Sequence, residues 1–312
     1  MTSKLARREV QQRTLARSAS ISGIGLHSGL PVKMALCPAP VGHGVVFLRK
    51  DSDTTVPATW RHAVESPLCP TLVDGGGGKI ATIEHLLSAL AALGVDNLLV
   101  ELDGPEAPVL DGSSARFVEL IDEVGLVTQG APRRAIEILT KVEVSEPGRS
   151  ASLEPAARLE MSFAIDFADP AIGKQYWEGP VDEALYRDEI AQARTFGLLA
   201  EVEAMQRMGL GRGGSLDNAV VVDNGKVMNP EGLRYSDEFV RHKVLDAIGD
   251  LALAGAPILG RFVGDKAGHA LTLRLLNKLF ETPKAWRWVT VTEPVKGGAS
   301  AQVNVRVAAQ RA

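Results

Sequence analysis

The sequence predicts an α+β protein built from two similar units. Its 312 residues correspond to about two domains of roughly 150 residues each. A set of strands followed by two helices is predicted in each half of the chain, although no residue-level repeat is visible. A polar segment from Gly125 to Arg134 separates the halves and is typical of a domain boundary.

The first half is predicted to alternate strands and helices. Thr82 is expected to cap a helix that ends at Gly94. The leucines of this helix lie nearly all round it, as in a helix buried between two layers. Ser113 is expected to cap a second helix over residues 116–124. Short strands bounded by glycine, proline or other turn residues are predicted at residues 30–36, 45–48 and 97–102.

The second half is predicted to repeat this order. Its helices are expected at residues 236–253 and 269–279, and its strands at residues 136–144, 159–167, 219–222 and 258–263. From Thr292 the chain is rich in Gly, Ala, Ser, Val and Gln, which is typical of a mobile tail. We therefore predict a first domain over residues 1–130, a second over 134–291 and a tail over 292–312.

The composition is that of an ordinary globular protein. Hydrophobic residues make up 45% of the chain and charged residues 23%, which excludes collagen-like, coiled-coil and wholly disordered proteins. The formal net charge of −4 does not favour nucleic acid or an acidic membrane as a partner. Cys37 and Cys69 are too far apart in sequence for a paired ligand motif, and they do not indicate a disulfide framework.

The sequence predicts a cytoplasmic protein without a transmembrane segment. The first 13 residues are polar and basic and lack the apolar stretch of a signal peptide. The longest apolar-rich run, residues 80–100, is interrupted by Glu84, His85 and Asp96, so it is a poor membrane span.

One predicted helix carries a stripe of potential metal ligands. His242, Asp246 and Asp250 are spaced four residues apart and therefore share one helix face. Imidazole nitrogens and carboxylate oxygens are both zinc ligands, and this spacing lets neighbours converge on one ion. The alternative is a solvent-exposed polar face with a weak His–Asp pair. The opposite side of the same predicted helix is expected to face the core and carries Val240, Val244, Ile248 and Leu251.

Further polar residues make a catalytic metal site a competing interpretation. Glu84 and His85 lie in the first turn of an otherwise apolar helix. Three protein ligands with an open fourth position are typical of catalytic zinc, which lowers the pKa of bound water to roughly 7. Glu84 would then accept the proton of that water, and Asp250 would hold His269 in its protonated form. Without a metal, Glu84 is normal near a helix N-terminus, His85 is a hydrogen-bonded core histidine and His269 is a surface residue.

Several segments, in the same order, strengthen the catalytic interpretation. They are residues 23–29 (GIGLHSG), 81–86 (ATIEHL), 104–113 (GPEAPVLDGS), 193–197 (ARTFG), 213–217 (GGSLD), 239–250 (FVRHKVLDAIGD) and 266–269 (KAGH). This set closely resembles the zinc-dependent UDP-3-O-acyl-N-acetylglucosamine deacetylases, which act in lipid A assembly. The resemblance extends from about residue 12 to residue 280.

The resemblance implies a fold, a metal and a set of catalytic residues. The implied fold is two similar α+β domains whose helices are sandwiched between the two sheets. The implied metal is Zn²⁺, with Fe²⁺ as an alternative ion, and its ligands would be His85, His242 and Asp246. The implied catalytic residues are Glu84 as general base, His269 as general acid, Asp250 as its orienting partner and Thr195 as an oxyanion donor.

The resemblance also implies contacts with a UDP-linked acylated glucosamine. Lys243 and Lys266 match positions that contact the UDP portion, and Phe167 matches one that packs near the nucleotide. An insert over about residues 195–218 would form an apolar passage for the acyl chain. Ordinary helix packing explains the same apolar side chains without the resemblance. The residues expected at the substrate in this region are Phe196, Leu198, Val202 and Met205.

The function implied is hydrolysis of the acetamide of UDP-3-O-acyl-N-acetylglucosamine, with release of acetate, by a monomer. Two alternatives remain at this point. One is a zinc amidase that acts on another small amide, and the other is a metal-free sugar-nucleotide binding module.

Overall fold

The computed structural model describes residues 7–66, 68–294 and 304–307. The described helices are α1 (Glu84–Ala92), α2 (Ala115–Val124), α3 (Glu183–Leu185), α4 (Leu199–Arg207), α5 (Glu238–Ala252) and α6 (His269–Phe280), with a π-helical turn at Tyr186–Ile190 and a 3-10 turn at Pro283–Ala285. None of the helices in this part of the chain is both long and apolar enough to cross a membrane.

The strands alternate with these helices along the chain, which confirms the predicted α+β class. In the first half they are β1 (Arg7–Glu9), β2 (Gln11–Leu15), β3 (Ala19–Ile24), β4 (Pro31–Pro38), β5 (Val45–Arg49), β6 (Thr54–Pro57), β7 (Ala63–Val64), β8 (Thr71–Val73), β9 (Lys79–Ala81), β10 (Leu98–Leu102) and β11 (Leu126–Pro132). In the second half they are β12 (Arg134–Ile138), β13 (Val142–Glu146), β14 (Arg149–Glu154), β15 (Glu160–Asp166), β16 (Lys174–Pro180), β17 (Phe196–Leu198), β18 (Val220–Asp223), β19 (Lys226–Val227), β20 (Ile258–Leu259), β21 (Arg261–Asp265), β22 (Trp286–Pro294) and β23 (Asn304–Val307).

The two halves contain sheets of the same topology. The first sheet has the order β3-β4-β10-β5-β6 and the second the order β13-β14-β21-β15-β16. β10 is antiparallel to β4 and parallel to β5, just as β21 is antiparallel to β14 and parallel to β15. α1 precedes β10 and α5 precedes β21, while α2 and α6 follow these two strands. The predicted duplication of an α+β unit is therefore confirmed.

The helices form a layer between these two sheets. α5 packs on α1 and also contacts β15 and β16, while α6 contacts β13 and β14 and α2 contacts β3. A single core cluster joins apolar side chains of both halves, among them Phe47 and Leu86 from the first and Ile248 and Phe262 from the second. Burial of this continuous apolar surface holds the two sheets and the helix layer together.

α1 and α5 touch through their backbones. A Cβ atom on Gly249 of α5 would lie 2.1 Å from the carbonyl oxygen of Glu84. Only glycine permits this approach, because any side chain would separate the two helices. The contact brings the first turn of α1 against the middle of α5.

A third sheet contains strands from both ends of the chain. Its order is β1-β22-β12-β20, and β23 pairs with β22. The segment expected to be a boundary, residues 125–134, contains β11, which pairs with β2. A mobile tail was predicted from residue 292 onward. This prediction is wrong for Thr292, which is buried in β22, and for residues 304–307, which form β23. Residues 295–303 and 308–312 lie outside the described residues.

Three local predictions also require correction. Thr82 does not cap α1: it has a positive φ of 56° and donates its hydroxyl to Glu106, and Ile83 occupies the N-cap position. The N-cap of α2 is Ser114, although the Ser113 hydroxyl accepts the backbone N–H of Ala115. The strands expected over 136–144 and 258–263 are each divided in two.

Candidate metal centre and active site

Three buried side chains converge where α1 meets α5. Single ligand atoms of His85, His242 and Asp246 all lie within 4.8 Å of one another. Asp246 Oδ1 is 3.2 Å from His242 Nε2 and 3.6 Å from His85 Nε2. The polar stripe of α5 is therefore buried against α1, and the solvent-exposed alternative is wrong.

The protein backbone fixes the orientation of His242. Its Nδ1 lies 3.0 Å from the carbonyl oxygen of Ala193. A histidine that donates from Nδ1 presents the unprotonated Nε2 as its free ligand atom. Here Nε2 is the atom that faces Asp246. The carbonyl of Ala193 had no signal in the sequence, because any residue type offers the same acceptor.

Two buried carboxylate oxygens at this place fit a bound cation. Asp246 Oδ1 and Glu84 Oε2 have no hydrogen-bond partner in the described part of the chain. A buried carboxylate oxygen without a partner is costly. A metal ion held by Asp246 and the two imidazoles would remove that cost for Oδ1. Two nitrogens and one oxygen form a typical catalytic zinc ligand set.

Asp246 is held in its charged form. Burial alone would raise the pKa of this carboxyl group, but electrostatic interactions with His242 and with the positively charged Lys243 hold the pKa well below its usual range. Lys243 Nζ donates to Asp246 Oδ2 over 2.6 Å. The carboxylate therefore contacts the lysine with one oxygen and keeps the other for the imidazoles.

Glu84 has the opposite character. Burial raises the pKa of its carboxyl group to about 7, against the opposing charges of His269 and His85. The side chain is only 4% exposed. A carboxyl group with a pKa near neutrality is suited to accept and release a proton at physiological pH.

His269 and Asp250 form a close pair next to Asp246. His269 Nδ1 lies 3.0 Å from both carboxylate oxygens of Asp250, and its Nε2 lies 3.8 Å from Asp246 Oδ2. Burial would lower the pKa of this imidazole, but the charge of Asp250 raises it to about 9. His269 is therefore positively charged at neutral pH and can donate a proton from Nε2.

Aromatic residues extend from the cluster toward the insert. The ring of Phe196 lies edge-on to His242 at 6.2 Å and to Phe167 at 5.5 Å. Thr195 precedes Phe196 and lies two residues after Ala193, whose carbonyl oxygen contacts His242. The backbone N–H of Thr195 donates to Gly112 over 2.8 Å, which anchors this segment to the loop before α2.

The other residues expected to contact the substrate lie outside the cluster of metal ligands and proton-transfer groups. Lys266 is more than one-third exposed, lies 4.0 Å from Asp166 and has a positive φ of 50°. Leu198 ends β17, while Val202 and Met205 lie on α4, and all three are half-buried. α4 contains no buried residue.

Two residues near the site were not predicted from the sequence to lie there. The carboxylate of Glu106 accepts hydrogen bonds from the backbone N–H groups of His27 and Ser28 and from the Thr82 hydroxyl, so it ties the N-terminal motif to the start of α1. Cys69 is buried beside Glu84, and desolvation raises the pKa of its thiol to about 12, which keeps it neutral. Neither residue has a spacing pattern that reveals its contacts.

Comparisons with known proteins show which proteins this chain resembles in sequence. A sequence model of the UDP-3-O-acyl N-acetylglycosamine deacetylase family matches residues 12–281. The UDP-3-O-acyl-N-acetylglucosamine deacetylase of Phenylobacterium zucineum is 48% identical over 285 residues, which cover 90% of this chain and 97% of the relative.

Two further relatives carry the same name. The protein of Acidithiobacillus ferrooxidans is 49% identical over 91% of this chain and 94% of its own length. That of Chromobacterium violaceum is 45% identical over 93% of this chain and 97% of its own length. The match covers nearly the whole of both sequences in each case, and it includes all the segments that form the cluster. The chain belongs to the UDP-3-O-acyl N-acetylglycosamine deacetylase family.

Proposed function

We propose that this protein hydrolyses the acetamide of UDP-3-O-acyl-N-acetylglucosamine to acetate and the free amine, an early committed step of lipid A biosynthesis. The observation that carries the proposal is the buried convergence of His85, His242 and Asp246 next to Glu84 and the His269–Asp250 pair. Membership of the family supports the substrate and the reaction.

We propose Zn²⁺ as the metal, held by His85, His242 and Asp246, with Fe²⁺ as an alternative ion. The donor set of two imidazoles and one carboxylate supports this choice. When bound, such an ion lowers the pKa of a coordinated water and polarises a substrate carbonyl.

The proton transfers are assigned to two groups, Glu84 and His269. Glu84, with a pKa raised to about 7, takes a proton from the attacking water. His269, with a pKa raised to about 9, gives a proton to the departing amine nitrogen. One group is ready to accept and the other ready to donate at neutral pH, which is the division of roles that hydrolysis of an amide requires.

Three other groups orient the reacting atoms. Asp250 holds His269 through Nδ1, so that Nε2 faces the site. Ala193 fixes the tautomer of His242 through its carbonyl oxygen. The hydroxyl of Thr195 is assigned to the oxyanion that forms when water adds to the acetamide carbonyl, and its place beside Phe196 supports this role.

The substrate is proposed to extend from the metal centre in two directions. Lys243 and Lys266 would contact the UDP portion, and Phe167 would pack near the nucleotide. The acyl chain would pass along Phe196 and the half-buried residues Leu198, Val202 and Met205. A row of apolar, partly exposed side chains next to an aromatic ring supports an apolar passage here.

We propose that the enzyme acts in the cytoplasm as a monomer. The three proposed metal ligands converge within a single chain, which supports a monomer. Size-exclusion chromatography with light scattering would give the mass of the active species, and a dimer would contradict this part of the proposal.

Acetate release from UDP-3-O-acyl-N-acetylglucosamine tests the function directly. We expect release by the metal-loaded protein, loss of release with a chelator, and recovery when Zn²⁺ is added. A simple N-acetylated amine without the UDP group serves as the control substrate. Equal turnover of both substrates would favour an amidase of broader specificity, and tight binding of the sugar nucleotide without any acetate release would favour a binding module.

A further inference from the structure

A second cavity lies between the two halves of the molecule, away from the metal centre. Its volume is about 360 Å³, within the range of roughly 300–1,000 Å³ that is usual for small-molecule sites. None of the residues assigned to the metal or to proton transfer lines this cavity. It is therefore distinct from the active site.

The walls of the cavity are apolar and come from both halves. Leu87 and Leu90 of α1 face it, as do Leu251 and Ala252 of α5. The three leucines are buried in the core of the protein. The same two helices touch through their backbones at Gly249, near the metal centre, and both contribute side chains to the wall of the cavity. An apolar ligand would bury its surface between them.

The cavity also carries a local excess of positive charge. Arg13 and Arg133 converge over Gly94, where a Cβ atom would lie 2.3 Å from Arg13 Nη2 and 2.9 Å from Arg133 Nη1. Burial and the charge of Arg133 lower the pKa of Arg13, which indicates that the two guanidinium groups repel each other. Asp96 contacts both arginines: its carboxylate accepts the backbone N–H of Arg13 and the Nε–H of Arg133.

Three arginines and two carboxylates, Asp96 and Glu183, line the cavity, which leaves a formal excess of one positive charge. Arg13 directs its guanidinium to the carbonyl oxygens of Leu93 and Gly94 at the end of α1. The charge of Glu183 acts to raise the pKa of Arg13, so this carboxylate offsets part of the positive charge of the arginine pair. Guanidinium groups bind carboxylates and phosphates through paired hydrogen bonds. The excess charge therefore favours an anionic group on the ligand.

We propose that this cavity is a second, non-catalytic binding site for a single apolar chain that ends in an anionic head. The head contacts Arg13 and Arg133, and the chain lies between α1 and α5. Because such a ligand contacts both halves of the folded protein, it stabilises their packing by mass action. A carboxylate and a phosphate head share this chemistry.

Four probes with the same chain length test the proposal on the full-length, zinc-loaded protein. Decanoate and decyl phosphate carry anionic heads, decyl maltoside is neutral and decyltrimethylammonium is cationic. All four are used below the concentration at which they form micelles. We expect the anions to bind by calorimetry and to raise the melting temperature, and the others to bind at least about tenfold more weakly. The tighter of the two anions identifies the head group.

Three variants locate the bound probe. Ala252→Phe fills the cavity and should abolish binding of the anions. Arg133→Gln keeps the cavity but should weaken binding by about tenfold, since it removes a charged hydrogen-bond donor. If Ala252→Phe does not fold, the effect of Arg133→Gln on anion binding tests where the probe binds. Val202→Trp obstructs the proposed acyl passage of the active site and should leave this binding unchanged.

Two results would overturn the proposal. One is the absence of anion binding to the parent protein. The other is binding that survives Ala252→Phe and Arg133→Gln but is lost in Val202→Trp, because the probe would then occupy the active-site passage. Neither result bears on acetate release, so the proposed function is tested separately.

Discussion

Two carboxylates of the metal centre respond to burial in opposite ways. Within the residues that the structure describes, Glu84 Oε2 has no hydrogen-bond partner, and burial raises the pKa of this carboxyl group to about 7. Asp246 is equally buried, but Lys243 and His242 hold its pKa well below its usual range. The environment thus separates a proton acceptor from a permanent anion. Residue type alone does not distinguish the two roles.

The metal ligands are tested by their effect on metal content. His85→Ala, His242→Ala and Asp246→Ala each remove one of three donor atoms, so each purified variant should contain far less zinc than the parent protein by elemental analysis. His62→Ala is the matched control, because His62 hydrogen-bonds Thr59 outside the cluster. Normal zinc content in all three variants would exclude the ligand assignment.

The role of Glu84 is tested by a change that preserves its shape. Glu84→Gln removes the proton-accepting oxygen but leaves the three ligands in place. We expect normal zinc content and a loss of acetate release of about 100-fold or more, which is typical of a general base. Turnover close to that of the parent protein would remove Glu84 from this role.

At the residue scale the sequence predicted which side chains meet, but not what holds them. The spacing of His242, Asp246 and Asp250 predicted a shared face, and the structure brings that face against Glu84 and His85. It could not reveal Glu106 or the carbonyl of Ala193, because hydrogen bonds between distant segments leave no periodic pattern. The catalytic roles themselves stay predictions.

The metal centre depends on the close contact between α1 and α5. Gly249→Ala would place a methyl group against the backbone of Glu84. The helices would have to separate, at a cost of about 1–3 kcal/mol for overpacking. We expect a lower free energy of unfolding in urea together with weaker zinc binding, since both helices supply ligands.

Gly130→Ala is the control for this change. Gly130 lies in β11, and a Cβ atom there would meet no atom within 4 Å. Equal effects of the two substitutions would show that the loss of glycine flexibility, and not the helix contact, accounts for the result.

A buried ion pair fixes the start of α5. Glu238, which is fully buried, accepts hydrogen bonds from the backbone and side chain of Arg194, whose side chain is 2% exposed. Glu238→Ala would leave the guanidinium buried without this partner, so we expect a loss of about 3–5 kcal/mol of unfolding free energy. Glu119→Ala breaks an exposed pair with Arg116 and should cost about 0–1 kcal/mol. Similar losses in both variants would contradict this explanation.

The sequence predicted the regular elements better than their ends and edges. α5 and α6 follow a clear apolar period, and their observed bounds differ from the predicted ones by no more than two residues. The segment with β11 was expected to be a boundary because it contains glycine and proline and no periodic pattern. Its pairing with β2 depends on a strand more than 100 residues away. Such a tertiary contact overrides local propensity.

The arrangement of the whole molecule makes the two halves mutually dependent. The first half supplies Glu84 and His85, and the second supplies His242 and Asp246. The core cluster is continuous across both halves. In addition, β1 at the start of the chain pairs with β22 near its end. The predicted domains at 1–130 and 134–291 therefore share one core and one site, and we expect that neither folds stably alone.

Separate expression of residues 1–133 and 134–312 tests this dependence. Each fragment would expose the apolar faces of α1 or α5 that are buried in the intact chain, and the second fragment would lose β1, one of the strands that pair with β22. We expect neither fragment alone to unfold cooperatively or to bind zinc with the affinity of the full chain. Co-expressed fragments should restore zinc binding and part of the acetate release, because the same surfaces can associate without a covalent link. Cooperative unfolding of residues 134–312 alone would show instead that the second half is an independent domain, with a site that is completed only when the first half docks.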